Sequence, residues 1–429
     1  MKNRRAPTKL PPPAPVIINP RLLVASHTMN SDYSKWLPTN SPLSKEVMHA
    51  DLVACIRHII QFSNSLDTMS FYRTELNRFL CWSWLVKGMS ITEMRRDSIV
   101  EYIEFCIFPP ATWTSPHADY AFLKKEDDTL EQNPKWRPFL QSDSTATTQG
   151  TITTIFSRLS AFYATLMSDS VIDHNPVQAI RQKSTYKKRG DGTKAPKVLT
   201  EEQVKYCLRV CEALSDEAEV IDSNKAFIHA ERALFAFSIG LGMYLRVSEL
   251  VWSDNYSPTH GDFFKDADGR WWFRTIGKGN QERVIVVSDD VLAALVRYRR
   301  ILDLPDLPIP ADKTPLIMSL GNGTWDNEKD WFAKIVPITD TAIMWKLFKK
   351  IFSLARAAMI NEGRIDDAYE LLCASCHWLR HTGISNDVQV RPIEHVRDDS
   401  GHKTSQTTWS YVHSTNRERA MSKKGKGSL

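Results

Sequence analysis

Residues 240–250 read GLGMYLRVSEL, and the second half of the chain can be built outward from them. Two glycines interrupt an apolar helical pattern, and Arg246 opens the next turn with Glu249 and Leu250 behind it. Upstream, Thr200 with Gln203 forms a capping box that starts one amphipathic helix, and a second helix spans about 226–237. Downstream, two β-rich runs at 271–276 and 283–287 flank the sequence GKGNQE at 277–282, a hairpin signal. Helical spacing returns at about 289–302, 341–359 and 365–390, with a proline-rich connection at 305–315. A domain of helices around a small antiparallel sheet is expected here.

The first half reads differently. Over 44–106 apolar residues recur at helical spacing, among them Phe71, Leu76, Phe79, Leu80 and Trp84, and Ser98 with Glu101 reads as a capping box. Pro109, Pro110, Pro116 and the charged run at 124–128 then break the pattern, which predicts an irregular insert over 109–146. One more helix is expected at about 147–167, with Ile155, Leu159, Phe162 and Leu166 on one face. Residues 1–43 hold Pro11, Pro12 and Pro13 and no sustained period, so they read as a disordered, basic extension. The polar, basic stretch at 182–196 is the best linker in the chain. The expected division is therefore a helical domain at 44–180, a linker at 181–198, a second domain at 199–416 and a basic tail at 417–429.

A length of 429 residues fits two domains plus tails, and 42% apolar residues can fill their cores. No stretch approaches the roughly 18 uninterrupted apolar residues of a membrane span, so no membrane partner is expected. The N-terminus lacks the apolar segment of a secretory signal, and seven scattered cysteines form no disulfide framework. The chain reads as cytoplasmic. Its net charge of +5 hides an uneven distribution. Residues 1–21 carry five basic side chains and no acidic one, 181–197 seven and one, and 417–429 five and one. The remaining body is net acidic. Lys183, Lys187, Lys188, Arg189 and Lys194 of the linker are candidate contacts to a polyanion, because lysine and arginine that neutralise phosphates release counterions. Solvated linkers and tails are the competing reading of the same charge.

Three short patterns lose to their context. Cys373-Ala-Ser-Cys376-His377 has the spacing of a haem attachment site but no export signal, and the other cysteines supply no second metal-ligand pair. Gly240-Leu-Gly242 lacks the third glycine and preceding strand of a dinucleotide site, and no Walker loop is present. No cofactor and no metal are expected.

An ordered set of basic and hydroxyl-bearing residues carries more weight. Arg246 at a helix start can grip an anion, because free N–H groups already point outward there. Lys278, between glycines at a hairpin tip, can reach forward to a ligand. His377 and Arg380 are three residues apart and share a helical face. Gly401-His402 follows, and Tyr411 lies nine residues beyond His402. Taken singly, each has a bland account as a surface arginine, a solvated lysine, a buried histidine or a packing tyrosine.

As a set, Arg246, Lys278, His377-x-x-Arg380, Gly401-His402 and Tyr411 resemble the tyrosine recombinase, or phage integrase, family. The resemblance covers residues 45–415, since YRTELNRFLCWSW at 72–84 and SAFYATLMSDSVIDHNPV at 160–177 resemble that family's helical core-binding domain. Two departures stand out. Asp399-Ser400 precedes Gly401 where an apolar residue is usual, and the tail after Tyr411 is polar and basic where many relatives have an amphipathic helix.

The resemblance implies a mainly α, two-domain DNA clamp whose catalytic domain mixes helices with a small antiparallel sheet. It also implies a site-specific recombinase that cleaves and rejoins duplex DNA without a metal, through a 3′-phosphotyrosyl link made by Tyr411. Arg246, Arg380 and His402 would hold the scissile phosphate, Lys278 would protonate the leaving 5′ oxygen, and His377, the phosphate itself or a water would take the tyrosine proton. Implied partners are double-stranded DNA and, on two sites, a homotetramer that is monomeric or dimeric when free, with accessory DNA-bending proteins as further candidates in a nucleoid-associated setting. A type IB topoisomerase-like enzyme and a non-catalytic DNA-binding regulator with the same fold are the alternatives.

Overall fold

The computed structural model describes residues 10–25, 33–140, 149–178, 180, 197–221, 223–277, 279–320 and 335–412. The chain forms two compact units, Met1–Lys194 and Ala195–Leu429.

Unit 1 holds helices α1 (Pro20–Ala25), α2 (Lys45–Ile60), α3 (Leu66–Trp82), α4 (Arg96–Ile107) and α5 (Gln149–Ser168). Ser44 and Ser65 start α2 and α3 by accepting from the backbone N–H of Val47 and Thr68. Leu76, Phe79 and Leu80 of α3 and Ile155, Leu159, Phe162 and Leu166 of α5 are buried in one core, as their helical spacing predicts. Ser98 is not a cap. It lies inside α4, and the reciprocal capping box is made by Ser90 and Glu93 around the single turn Ile91–Glu93. The insert carries two small strand pairs. Strand β1 (Thr114–Ser115) runs parallel to β4 (Phe139–Leu140), and β2 (Phe122–Lys124) runs antiparallel to β3 (Leu130–Gln132).

The expectation of a disordered extension over 1–43 is overturned for its described residues. Val16, Ile17, Ile18 and Leu23 are buried in the unit 1 core. A proline run has no N–H to offer and must be held through its carbonyls. Trp113 Nε1 donates to the Pro11 carbonyl at 3.2 Å, and Gln132 Nε2 donates to that of Pro15 at 2.7 Å. The buried Asn77 side chain accepts from the N–H of Val16 at 2.8 Å and of Ile17 at 3.3 Å. The segment is an extended strap whose donors come from far along the chain, which local composition cannot reveal.

Unit 2 opens with α6 (Glu201–Val220), started by the Thr200–Gln203 capping box, followed by α7 (Asn224–Gly242). Strands β5 (Phe263–Lys265), β6 (Trp271–Gly277) and β7 (Gln281–Val286) form an antiparallel sheet in that order, with Thr275 opposite Arg283. Then come α8 (Asp289–Ile301), the pair β8 (Met318–Leu320) and β9 (Ile335–Pro337), and α9 (Thr341–Asn361). The chain continues through α10 (Ile365–Glu370), α11 (Cys376–Asp387), α12 (Ile393–Ser400) and α13 (Ser405–Trp409). Phe235 and Phe237 of α7, Leu295 and Tyr298 of α8, Phe348 and Phe352 of α9 and Leu379 of α11 meet in its core.

Two boundaries differ from the sequence reading. The glycines of GLGMYLRVSEL sit within the last turn of α7, where a Cβ at Gly242 would come within 2.7 Å of Val291. Gly242 permits close packing against α8 and Gly240 against Leu379 of α11, as well as marking an end. The helix expected over 365–390 is broken at residues 371–375 into α10 and α11, so His377 becomes the second residue of its own helix.

Candidate active site

The site is assembled within unit 2 from the turn after α7, the β6–β7 hairpin, α11 and the segment from α12 through Tyr411. Arg246 caps the single turn Val247–Glu249. The Glu249 carboxylate accepts from the Arg246 backbone N–H at 2.8 Å and from its guanidinium at 2.9 Å. Arg246 stays 30% exposed, whereas Glu249 is only 2% exposed, so the cation faces outward from a buried anion.

Arg380, on α11, is 2% exposed. It donates to the backbone carbonyls of Tyr244 and of Ser400, the latter at 2.5 Å. Among the described residues no carboxylate forms an ion pair with it. Burial and the nearby Arg246 and Arg283 lower its pKa to about 10, which leaves it cationic at neutral pH.

Gly401 ends α12 in the left-handed conformation, at φ 66°, and turns the chain so that His402 enters the site. His402 Nδ1 lies 3.0 Å from the Thr408 hydroxyl. Tyr411 follows α13, its backbone N–H bonded to the Thr408 carbonyl at 3.0 Å. The phenol ring meets two imidazoles, stacked on His402 at 5.5 Å and tilted 31° to His381 at 5.1 Å. His381 in turn meets His377 edge-on at 4.3 Å. Burial raises the Tyr411 pKa against the opposing pull of Arg380 and Arg246. Both guanidiniums therefore act on this phenol from within the same chain.

Five of the six residues singled out from the motifs are thus brought together: Arg246, His377, Arg380, His402 and Tyr411. Lys278 lies outside the described residues, as do Lys183, Lys187, Lys188, Arg189 and Lys194 of the linker. Asp399, the first of the two polar residues before Gly401, is buried, and its carboxylate accepts from Arg391 at 2.5 Å. A polar residue is tolerated there because a cation meets it.

Sequence reasoning gave no role to Glu249, Arg283 or His381. Arg283 shares the core-facing side of β7 with Ile285, and a charge on a buried strand face demands a partner, which was the available signal. His381 is four residues beyond His377, which stacks the two on one helical face. Among the described residues no three His, Cys, Asp or Glu side chains gather closely enough to hold a metal ion. Cys376 is buried, with its thiol pushed up to about 12 by desolvation, while Cys373 is exposed.

Burial, with cationic neighbours second, lowers the His381 and His402 pKa to about 4, and His229 and His260 of the same unit are likewise held at about 4. Unfolded imidazoles titrate near 6.5, so between pH 6.5 and 4 the unfolded chain binds more protons than the folded one. Stability is full above that window and falls as pH drops through it. We expect the thermal midpoint of the intact protein to decline progressively below pH 6.5. A midpoint flat from pH 6.5 to 5 would contradict neutral, buried histidines.

No family model matches this chain. Over 169 residues it is 31% identical to the tyrosine recombinase XerD of Rickettsia prowazekii (strain Madrid E), a match covering 39% of this chain and 48% of that protein. The chain thus spans about half the length of the curated relative it matches. The solved structure of the XerH site-specific recombinase bound to palindromic difH substrate, a post-cleavage complex, matches with a TM-score of 0.52 at 13% identity, covering 95% of this chain and 94% of that one. The fold is that of a tyrosine recombinase. The family resemblance and the mainly α fold class read from the sequence are both borne out. Within this tyrosine recombinase fold, Arg246, His377, Arg380 and His402 converge around Tyr411 in unit 2.

Proposed function

We propose that this protein is a site-specific DNA recombinase that breaks and rejoins duplex DNA through a covalent tyrosine link. One observation carries the reading: the Tyr411 phenol packs against His381 and His402, within the electrostatic reach of Arg380 and Arg246. The phenol oxygen attacks the scissile phosphorus, a P–O bond to tyrosine forms, and the P–O bond to the 5′ oxygen breaks. The energy of the ester is kept in the new link, so rejoining needs no external energy source. Arg246 and Arg380 hold the nonbridging oxygens as negative charge builds on them. The phenol proton leaves to a phosphate oxygen, a water or the imidazoles, and of the two α11 imidazoles the one against Tyr411 is His381, with His377 behind it. Four protomers on two sites would exchange strands in turn through a Holliday junction, in the cytoplasm and on the nucleoid.

The deciding experiment uses a nicked suicide duplex that traps covalent protein–DNA adduct. Adduct whose site is specific, with joining of two duplexes, supports the recombinase. Adduct with supercoil relaxation at no particular site would favour a type IB topoisomerase-like enzyme, and binding without any adduct would leave a DNA-binding regulator.

Lys278 is proposed as the acid for the departing 5′ oxygen. Lys278→Ala should slow adduct formation on an ordinary phosphodiester by about 10²-fold or more, the usual scale for general acid catalysis. A 5′-phosphorothiolate leaving group needs no proton and should restore the rate. Equal slowing on both substrates would remove Lys278 from that role.

A further inference from the structure

Each of the three side-chain nitrogens of Arg283 donates a hydrogen bond inside the protein. Its two terminal nitrogens donate to Glu249, at 2.9 Å to Oε1 and 2.8 Å to Oε2, and its Nε donates to the Asp399 carbonyl at 3.0 Å. The same two Glu249 oxygens serve the guanidinium and the backbone N–H of Arg246. The Arg283 and Glu249 side chains are only 8% and 2% exposed, so this pairing is made in a low-dielectric setting and is weakly screened. On its other side, the Arg283 stem packs against the turn that delivers His402. A Cβ at Gly401, which has φ 66°, would come within 2.9 Å of Arg283 Cδ. One strand residue of the hairpin thereby touches the partner of Arg246 and the turn before His402.

We infer that Arg283 is a positioning residue for the proposed strand cleavage: by sharing the Glu249 carboxylate with Arg246 it leaves the outward donors of Arg246 able to grip phosphate, and it fixes the turn that carries His402. The inference rests on the recombinase reading above. Without Arg283, the buried Glu249 carboxylate retains Arg246 as its one guanidinium partner among those it now has, and draws it inward. The phosphate then competes with an internal anion for Arg246.

The test measures adduct formation on the suicide duplex, DNA affinity and thermal midpoint for Arg283→Ala, Arg283→Met and Arg283→Lys, and for Arg283→Met combined with Glu249→Gln. The methionine variant keeps much of the stem packing if alanine loosens the fold. Single variants should form adduct about 10²-fold more slowly, the scale for losing one well-placed donor, with affinity changed no more than about twofold. Lysine should rescue little, because one ammonium cannot span both Glu249 oxygens and the Asp399 carbonyl. The double variant should be faster than Arg283→Met alone, because the competing charge is gone. A purely architectural Arg283 would make the double variant slower still, and either that result or single variants cleaving at the wild-type rate overturns the inference. Failure of the wild type itself to form adduct would instead remove the recombinase reading beneath it.

Discussion

Tyr411→Phe should form no detectable adduct on the suicide duplex, a loss of at least about 10⁴-fold, as expected when the sole nucleophile of a covalent mechanism is removed. The substitution deletes one oxygen and keeps the ring. The contacts with His381 at 5.1 Å and His402 at 5.5 Å are therefore available to phenylalanine. The thermal midpoint and DNA affinity should stay near the wild-type values, which separates loss of chemistry from loss of fold. Mass spectrometry of adduct from the wild type should find the nucleotide on Tyr411. Adduct formed by Tyr411→Phe, or a nucleotide found on another residue, would refute the assignment.

Arg380→Ala should be nearly as severe for cleavage, at about 10³-fold or more, and unlike the tyrosine variant it should also destabilise the protein. Arg380 holds the carbonyls of Tyr244 and Ser400 from a position only 2% exposed. Hydrogen bonds from a charged donor contribute about 1.5–3 kcal/mol each, and truncation strands both carbonyls in the interior. Arg246→Ala offers the contrast. It leaves Glu249 still paired with Arg283, so it should lose cleavage with a smaller fall in thermal midpoint. Parallel measurement of adduct rate and midpoint checks both claims, and equal destabilisation by the two variants would contradict the different ways the arginines are held. Arg380→Lys should recover part of the stability and little of the rate, because one ammonium cannot bridge two carbonyls and a phosphate as a planar guanidinium can.

The motif residues were legible because their spacing along helices and turns is local information. His377 and Arg380 share a face of α11, and the GKGNQE run closes a real β6–β7 hairpin. The Thr200–Gln203 box was readable for the same reason. What escaped was everything decided across long sequence separations. The strap at 10–18 is held by Asn77, Trp113 and Gln132, and no window of the N-terminus contains them. Arg283 reaches Glu249 across 34 residues and Asp399 across 116, so its buried place gave only an indirect sign, a charge on the inner side of a strand. The Ser98 cap failed because α4 begins at Arg96, before the hydroxyl that matched the pattern.

The buried carboxylate of Glu249 also sets the arithmetic of charge in the pocket. Glu249 is paired with Arg246 and Arg283, and Arg380 lies nearby without a carboxylate partner among the described residues, so three guanidiniums against one carboxylate leave a surplus of two positive charges. A resting phosphodiester brings a single negative charge, while the five-coordinate species formed on it becomes a dianion when the phenol proton passes to a water or an imidazole. The pocket is thus balanced for the fleeting state and over-charged for the stable one, which is the condition for binding energy to accelerate a reaction rather than merely retain the substrate.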